Sequence, residues 1–283
     1  MKKLITTMVL AAFASVAGAA GHSDDWNGAQ KPFKIYGNTY YVGTAGISAV
    51  LIASPTGLIL VDGATEKGGL VVADNIRALG YKLKDVKYIL SSHAHHDHAG
   101  GIALLQKLSG ASVLAGAGNV ETLRTGLAPK EDPQFGTLDQ FPGVAKVRAA
   151  ADGEVVKLGS LAVTAHSTPG HTPGGTTWSW QSCEAGQCKT VVFADSLTAI
   201  SADGYRFTDH PELVAQFRSS FAAVEGMACD IAIAAHPGVN DLWGSQERAA
   251  KEGNVAYINT DGCKSIVKAA RERLDTRLAS EKR

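Results

Sequence analysis

The sequence runs to 283 residues and carries 27 basic against 27 acidic side chains. That balance gives no basic stripe for nucleic acid and no polybasic patch for an anionic membrane surface. At 45% apolar, with no low-complexity tract, the chain suits one large domain or two small ones with an ample core.

Lys2 and Lys3 form a positive start, residues 4–16 are apolar, and Ala17-Gly18-Ala19 offers a small-residue cleavage site. Residues 1–20 therefore read as a signal peptide, and residues 21–283 as the mature domain. The apolar run is too short to span a bilayer. An uncleaved anchor ranks lower, because no stop-transfer charge pattern flanks the run. Losing Lys2 and Lys3 leaves 27 − 2 = 25 basic against 27 acidic residues, a formal net of −2. The expectation is a periplasmic protein with no membrane partner after cleavage.

Strand-like material fills 33–42 and 47–53. A Pro55-Thr56-Gly57 turn and a short run at 58–61 follow, and together these read as an antiparallel meander. A helix over 68–79 stops at Gly80, a strand at 86–90 runs into Ser91-Ser92-His93, and 99–108 reads as a helix stopped by Gly110. Residues 113–115 are strand-like and 119–124 helical. Residues 126–143 have no periodicity and read as a long loop, more often functional than idle. The second half repeats the strand theme at 145–149, 155–158, 161–166, 176–180 and 190–193. A helix at 212–224, a strand at 231–235 and helices at 246–252 and 266–278 close the chain. Strand blocks with helices in both halves suggest an α+β fold, a four-layer αβ/βα sandwich. No repeat of solenoid length is visible.

Four cysteines in an exported chain read first as disulfides. Three connectivities are possible. Local geometry favours Cys183–Cys188, since the intervening residues include Gly186 and can turn back. Cys229–Cys263 would then close a loop worth about 3–4 kcal/mol in the chain-entropy account. Thiolate ligation of zinc is the rival reading, made unnecessary by the histidines.

Four of the nine histidines fall in His93-Ala94-His95-His96-Asp97-His98. Residues i and i+2 of an extended segment point the same way, so His93 and His95 can share one metal. Asp97 and His98 lie past a bend and can aim at a second. Imidazole and carboxylate without thiolate suit zinc or another borderline divalent ion. Gly100 and Gly101 let backbone approach the crowded centre. Two isolated histidines, His171 in Thr168-Pro169-Gly170-His171-Thr172-Pro173-Gly174 and His236 in Ala235-His236-Pro237-Gly238, also sit at strand ends. A solvated histidine-rich loop is the bland alternative, but it does not account for those two. His22, His96, His166 and His210 are not assigned to metal; His96 reads as exposed or supporting, and His166 as packed near the site.

The run His93-x-His95-x-Asp97-His98, with His171 and His236, resembles the metallo-β-lactamase superfamily, and the likeness covers nearly all of 33–270. Three stretches, SHAHHDHAGGIA, TPGHTPGGTTWSW (with Trp178 and Trp180) and HPGVNDLW, resemble class B, subclass 3 in particular. The resemblance implies a first zinc on His93, His95 and His171 and a second on Asp97, His98 and His236. It also implies a Cys229–Cys263 disulfide, with a second short-range pair in some members.

Many superfamily hydrolases bridge both metals with an aspartate after a strand such as VVFADSL, which here would be Asp195. Subclass 3 instead lines that position with a serine, here Ser196. The two readings differ by one residue of register, and the subclass likeness elsewhere favours Ser196. Asp62, in LILVDGA, matches an aspartate that orders the metal loop, although Asp-Gly is also a plain turn former.

The implied function is zinc-dependent hydrolysis of the β-lactam amide of penicillins, cephalosporins and carbapenems, conferring antibiotic resistance. In that reading Asp97 takes a hydrogen bond from the attacking water, and Ser196 and Thr198 receive the substrate carboxylate. Tyr205 would assist at the carbonyl oxygen. The expected partner is a small molecule, with no nucleic acid, and the chain is expected to be a monomer. A thioester or lactone hydrolase on the same scaffold is the near alternative, since fold does not fix substrate. A non-catalytic periplasmic zinc-binding protein is the alternative from another class.

Overall fold

The computed structural model describes residues 25–282. The expected signal peptide, residues 1–20, and His22 lie outside the described residues.

The first sheet has seven strands in sequence order: β1 (Phe33–Tyr36), β2 (Thr39–Tyr41), β3 (Val50–Ser54), β4 (Gly57–Val61), β5 (Val86–Leu90), β6 (Ser112–Gly116) and β7 (Val147–Ala150). β1 to β4 form the expected antiparallel meander, and β4 to β7 are parallel. The stretch 33–42 is two strands and not one, because Gly37 turns the chain at φ 52° and brings Tyr36 opposite Thr39. The second sheet runs in the order β12 (Ile231–Ala234), β11 (Gln187–Ala194), β10 (Thr176–Glu184), β9 (Leu161–Ser167), β8 (Val155–Leu158). Its single parallel pair is β11 with β12.

Alternating burial builds the layers. Along β3, Val50 and Ile52 enter a core between the sheets, whereas Leu51 and Ala53 face outward. That central core takes Ile59, Val61, Leu90 and Leu114 from the first sheet and Val163, Trp178, Phe193 and Ile233 from the second. The outward face of the first sheet is covered by α1 (Gly68–Ala78) and α3 (Ile102–Ser109) through Val72, Ile76, Ile102 and Leu105. The outward face of the second is covered by α5 (Pro211–Glu225) and α7 (Gly262–Glu281) through Phe217, Phe221, Ile266, Val267 and Leu274. The result is the expected helix–sheet–sheet–helix sandwich.

Several boundaries move. The helix expected over 99–108 is two, α2 (His96–Ala99) and α3, separated by Gly100-Gly101. A β-carbon on Gly101 would collide with the Gly63 carbonyl oxygen, so this junction is pressed against the β4–α1 turn. The remaining helices are α4 (Val120–Thr125) and α6 (Leu242–Glu252). α6 starts earlier than 246, because Leu242 and Trp243 are drawn into the central core. β10 and β11 outrun the expected 176–180 and 190–193, meeting in a hairpin at Ala185-Gly186, where both φ angles are positive. Cys183 and Cys188 face each other across it and are disulfide-bonded, with Cα atoms 4.0 Å apart. Cys229–Cys263 forms the second disulfide and ties the start of α7 to the turn before β12.

Candidate metal centre

Parallel strands end on one edge, and the chemistry collects there. Asp62 directly follows β4 and Asp195 directly follows β11, whereas His93 comes after β5 with Ser91-Ser92 between and His236 after β12 with Ala235 between. His171 sits in the turn between β9 and β10. Trp178 locks this edge across the two sheets: its indole N–H donates to the Ser91 carbonyl at 3.1 Å. The Thr176 amide donates to the Ser92 carbonyl at 2.8 Å. The metal loop therefore leaves β5 in a direction fixed by the opposite sheet. Asp62 and Ala64 adopt left-handed conformations, φ 59° and 58°, unusual for residues with a β-carbon. Asp62 Oδ1 accepts from the Ser92 amide at 2.7 Å and Oδ2 from the Ser92 hydroxyl at 2.6 Å.

All six donors named from the sequence come together. One nitrogen each of His93, His95 and His171 lie within 4.8 Å of one another, and so do ligand atoms of His93, Asp97 and His98. His236 Nε2 lies 3.2 Å from His98 Nε2 and 3.4 Å from Asp97 Oδ2. The first five are buried, and His236 opens partly to solvent.

The outward nitrogens of three rings are held from behind. His93 Nδ1 is 2.8 Å from Asp195 Oδ1 and 3.2 Å from the Ser92 hydroxyl. His95 Nε2 is 2.8 Å from Asp132 Oδ2. His171 Nδ1 is 2.9 Å from the Thr198 carbonyl. His98 Nδ1 faces Asp62 Oδ2 at 3.3 Å. Partners of this kind fix ring orientation and tautomer, leaving the inner nitrogens, Nε2 of His93, Nδ1 of His95 and Nε2 of His171, to converge.

The electrostatics favour neutral imidazoles. Burial, followed by the neighbouring ring charges of His98, His171, His95 and His236, holds His93 well below the ordinary histidine range. Burial and then His95 push His171 down to about 3, and burial and then His98 push His236 down to about 4. His98 is the exception: burial works to lower it, but the charge of Asp97 and the hydrogen bond with Asp62 raise it to about 10. Burial likewise opposes ionisation of Asp97, yet the charge and hydrogen bond of His98 win and keep its carboxyl far below the usual range. Five imidazole side chains and one carboxylate, all but His236 buried and with no thiolate among them, are chemically a fit for a borderline divalent cation.

Asp195 and Ser196, the two sides of the register question, sit in different surroundings. Asp195 is buried behind His93, and a β-carbon on Gly175 would strike its Oδ2. Burial, followed by the charge of Asp62, pushes its carboxyl up. Ser196 is half-buried on the segment that leaves β11. Thr198 lies two residues on, and the ring of Tyr205 stacks on His210 at 4.6 Å between centroids. His96 tilts against Trp26 at 5.6 Å. His166, expected near the site, points off the outer face of β9 and hydrogen-bonds Ser179 at 2.7 Å, because its alternate neighbours Val163 and Ala165 take the inner face.

Two neighbours escape sequence reasoning. Asp132 lies in the aperiodic 126–143 loop with nothing to mark it. Trp26 stands in the Asp25–Asn27 turn, far from His236 in sequence, and its ring reaches His236 at 5.9 Å between centroids.

A sequence model of the Metallo-beta-lactamase superfamily matches residues 42–236. The solved metallo-beta-lactamase SMB-1, bound to 2-mercaptoethanesulfonate, is 71% identical with a TM-score of 0.90, covering 91% of this chain and 99% of that one. MEM-A1, a subclass B3 metallo-beta-lactamase from a soil metagenome library, is 50% identical with a TM-score of 0.89, covering 91% and 98%. A hydroxyacylglutathione hydrolase of Anaeromyxobacter dehalogenans (strain 2CP-C) is 33% identical over 95 residues, 34% of this chain and only 29% of that enzyme. From the strand-end histidines, the layered fold and these matches together, the chain belongs to the metallo-beta-lactamase superfamily.

Proposed function

We propose that this protein opens the amide bond of β-lactam rings, in penicillins, cephalosporins and carbapenems, at a centre of two zinc ions. The observation that carries the reading is the convergence of six donors from three separate stretches, in a chain 71% identical to a named metallo-beta-lactamase. His93, His95 and His171 would hold one ion, and Asp97, His98 and His236 the other. Bound zinc supplies Lewis acidity and lowers the pKa of water from about 15.7 to near 7.

The chain's own residues do the rest. Neutral rings at His93 and His171 present lone pairs at neutral pH, and Asp195 and the Thr198 carbonyl hold them in the required tautomers, as Asp132 does for His95. Asp97, kept ionised beside His98, accepts the hydrogen bond that orients the attacking water. Ser196 and Thr198, the latter joined to His171 through its backbone carbonyl, would receive the substrate carboxylate. Tyr205 serves the carbonyl oxygen from the rim. Asp195 is read as a support for His93 and not as a bridging ligand.

A hydrolysis panel tests the reading. Purified protein should turn over a penicillin, a cephalosporin or a carbapenem, lose that activity in EDTA and regain it with zinc. Turnover of a glutathione thioester without β-lactam turnover would favour the second reading, which the partial match to a hydroxyacylglutathione hydrolase supports. We also read the protein as an exported, periplasmic monomer with residues 21–283 as one domain. Two disulfides support export, since such bonds persist in oxidising compartments. No helix among the described residues is long and apolar enough to cross a membrane.

A further inference from the structure

The segment between β11 and α5 has little regular structure: residues 195–206 are turns and extended backbone, and only Phe207–Asp209 forms a short 3-10 turn. Local hydrogen bonding alone does not hold such a stretch at a defined height. Its near end is tied to the metal centre, where the Thr198 carbonyl meets His171 Nδ1 at 2.9 Å. Its middle is tied to the loop that carries Asp132, through the Ala202 amide and the Pro133 carbonyl at 2.9 Å.

The far end is held by the last turn of α7. Glu281, buried, accepts from the Phe207 amide at 3.1 Å and from the Thr208 amide at 2.8 Å. Its carbonyl accepts from Arg206 at 2.5 Å. Arg277 donates to Glu281 at 2.7 Å, to the Tyr205 carbonyl at 2.8 Å and to the Ser201 hydroxyl at 3.1 Å, and its guanidinium lies 5.7 Å from the centroid of the Phe207 ring. An acidic side chain at a helix C-terminus opposes the helix dipole. The last turn of α7 carries that acid and no basic residue. What offsets the unfavourable placement is Arg277 together with the pair of backbone amides of the rim. The disulfide at Cys263 fixes the other end of the same helix.

We propose that Arg277 and Glu281 are positioning residues for the substrate rim: from outside the site they set where Thr198 to Tyr205 sit over the metal centre, and so govern substrate affinity more than the chemical step. The inference rests on the β-lactam hydrolase reading above for its kinetic test. It touches neither the metal donors nor the attacking water, so loosening the clamp should raise KM and spare kcat.

The experiment compares Glu281→Gln and Arg277→Ala with Arg271→Ala in the full, zinc-loaded protein. Arg271 lies on the same helix and pairs with Glu225 of α5 at 2.7 Å, docking α7 without reaching the rim. Glu281→Gln and Arg277→Ala should raise KM for a β-lactam by roughly five- to tenfold with kcat and zinc content within about twofold of the parent. Arg271→Ala should leave KM unchanged. Native-state hydrogen exchange gives a readout that does not depend on turnover: in Glu281→Gln the Phe207 and Thr208 amides should exchange faster while the amides of 266–274 keep their protection. Equal KM in all three variants, a shared fall in kcat and zinc content, or unchanged exchange at 207 and 208 would overturn the proposal. A parent protein that ignores β-lactams would sink the substrate reading instead, and the exchange result would still decide the clamp.

Discussion

Asp132 Oδ2 lies 2.8 Å from His95 Nε2, both groups buried, joining a loop without secondary structure to the donor set. His95 must then turn Nδ1 inward, whereas His93 and His171 turn Nε2 inward. The tautomer of each ring is decided by a partner far away in sequence. Replacing Asp132 by Ala frees that ring to rotate and leaves its outward nitrogen without an acceptor. Zinc affinity should fall about 10- to 100-fold, measured by competition with a chromophoric chelator. Unchanged affinity in Asp132→Ala would show that the loop carboxylate plays no part in holding the metal.

Gly101 marks the tightest backbone approach behind the metal loop. A methyl there meets the Gly63 carbonyl and lies 2.7 Å from the Gly69 Cα. Its own φ of −82° is ordinary, so any cost is packing and not dihedral strain. Gly101→Ala should destabilise by about 1–3 kcal/mol or more in urea titration. Gly226→Ala, where the nearest atom is a carbonyl 3.3 Å away, should stay within about 0.5 kcal/mol. Comparable stability in the two variants would mean that the loop yields easily.

Glu281 gives a pH dependence with a definite sign. Burial alone would raise its carboxyl, but Arg277 and the Thr208 and Phe207 amides outweigh burial and hold it at about 2, against an ordinary 4.5. A group whose folded value is depressed stabilises fully above the unfolded value and loses that contribution as pH falls toward the folded one. The stability gap between the parent and Glu281→Gln should therefore be widest above about pH 5 and shrink between pH 4.5 and 2. Denaturant melts of both proteins at pH 6 and pH 2.5 check this, and a gap that grows in acid would contradict it.

Cys229–Cys263 closes 34 residues and pins the start of α7. Cys229→Ser with Cys263→Ser should cost about 3–4 kcal/mol in the chain-entropy account. Removing Cys183 and Cys188 should cost less, because a separation of 5 residues in a hairpin already closed by its own ladder leaves little entropy to restrict. A larger loss from the short bridge would show that the hairpin depends on its covalent link.

The candidate donors were legible because metal chemistry demands particular residue types at close spacing. His93, His95, Asp97 and His98 are adjacent in the chain, and His171 and His236 carry proline and glycine that mark strand ends. Apolar runs likewise announced most strands: β3, β4 and β12 lie between two layers, are buried on both faces and so read as short continuous apolar stretches. The tips of β10 and β11 were not legible, because the inward position beyond Trp180 is the polar Ser182, buried against Tyr36 and Thr39, and the start of β11 is exposed, so no apolar alternation marks either tip.

By itself, then, the sequence determined the six candidate donors that converge, the layered architecture and the local disulfide, which follow largely from local pattern and residue chemistry. Only the tertiary structure decided that Asp195 stands behind His93, that Asp132 holds His95, and that Arg277 and Glu281 reach the rim. Those are contacts between residues 37 to 102 positions apart or between a helix end and a loop, with no period to betray them. Such pairings exist only once burial has brought the edges of the two sheets and the outer helices together.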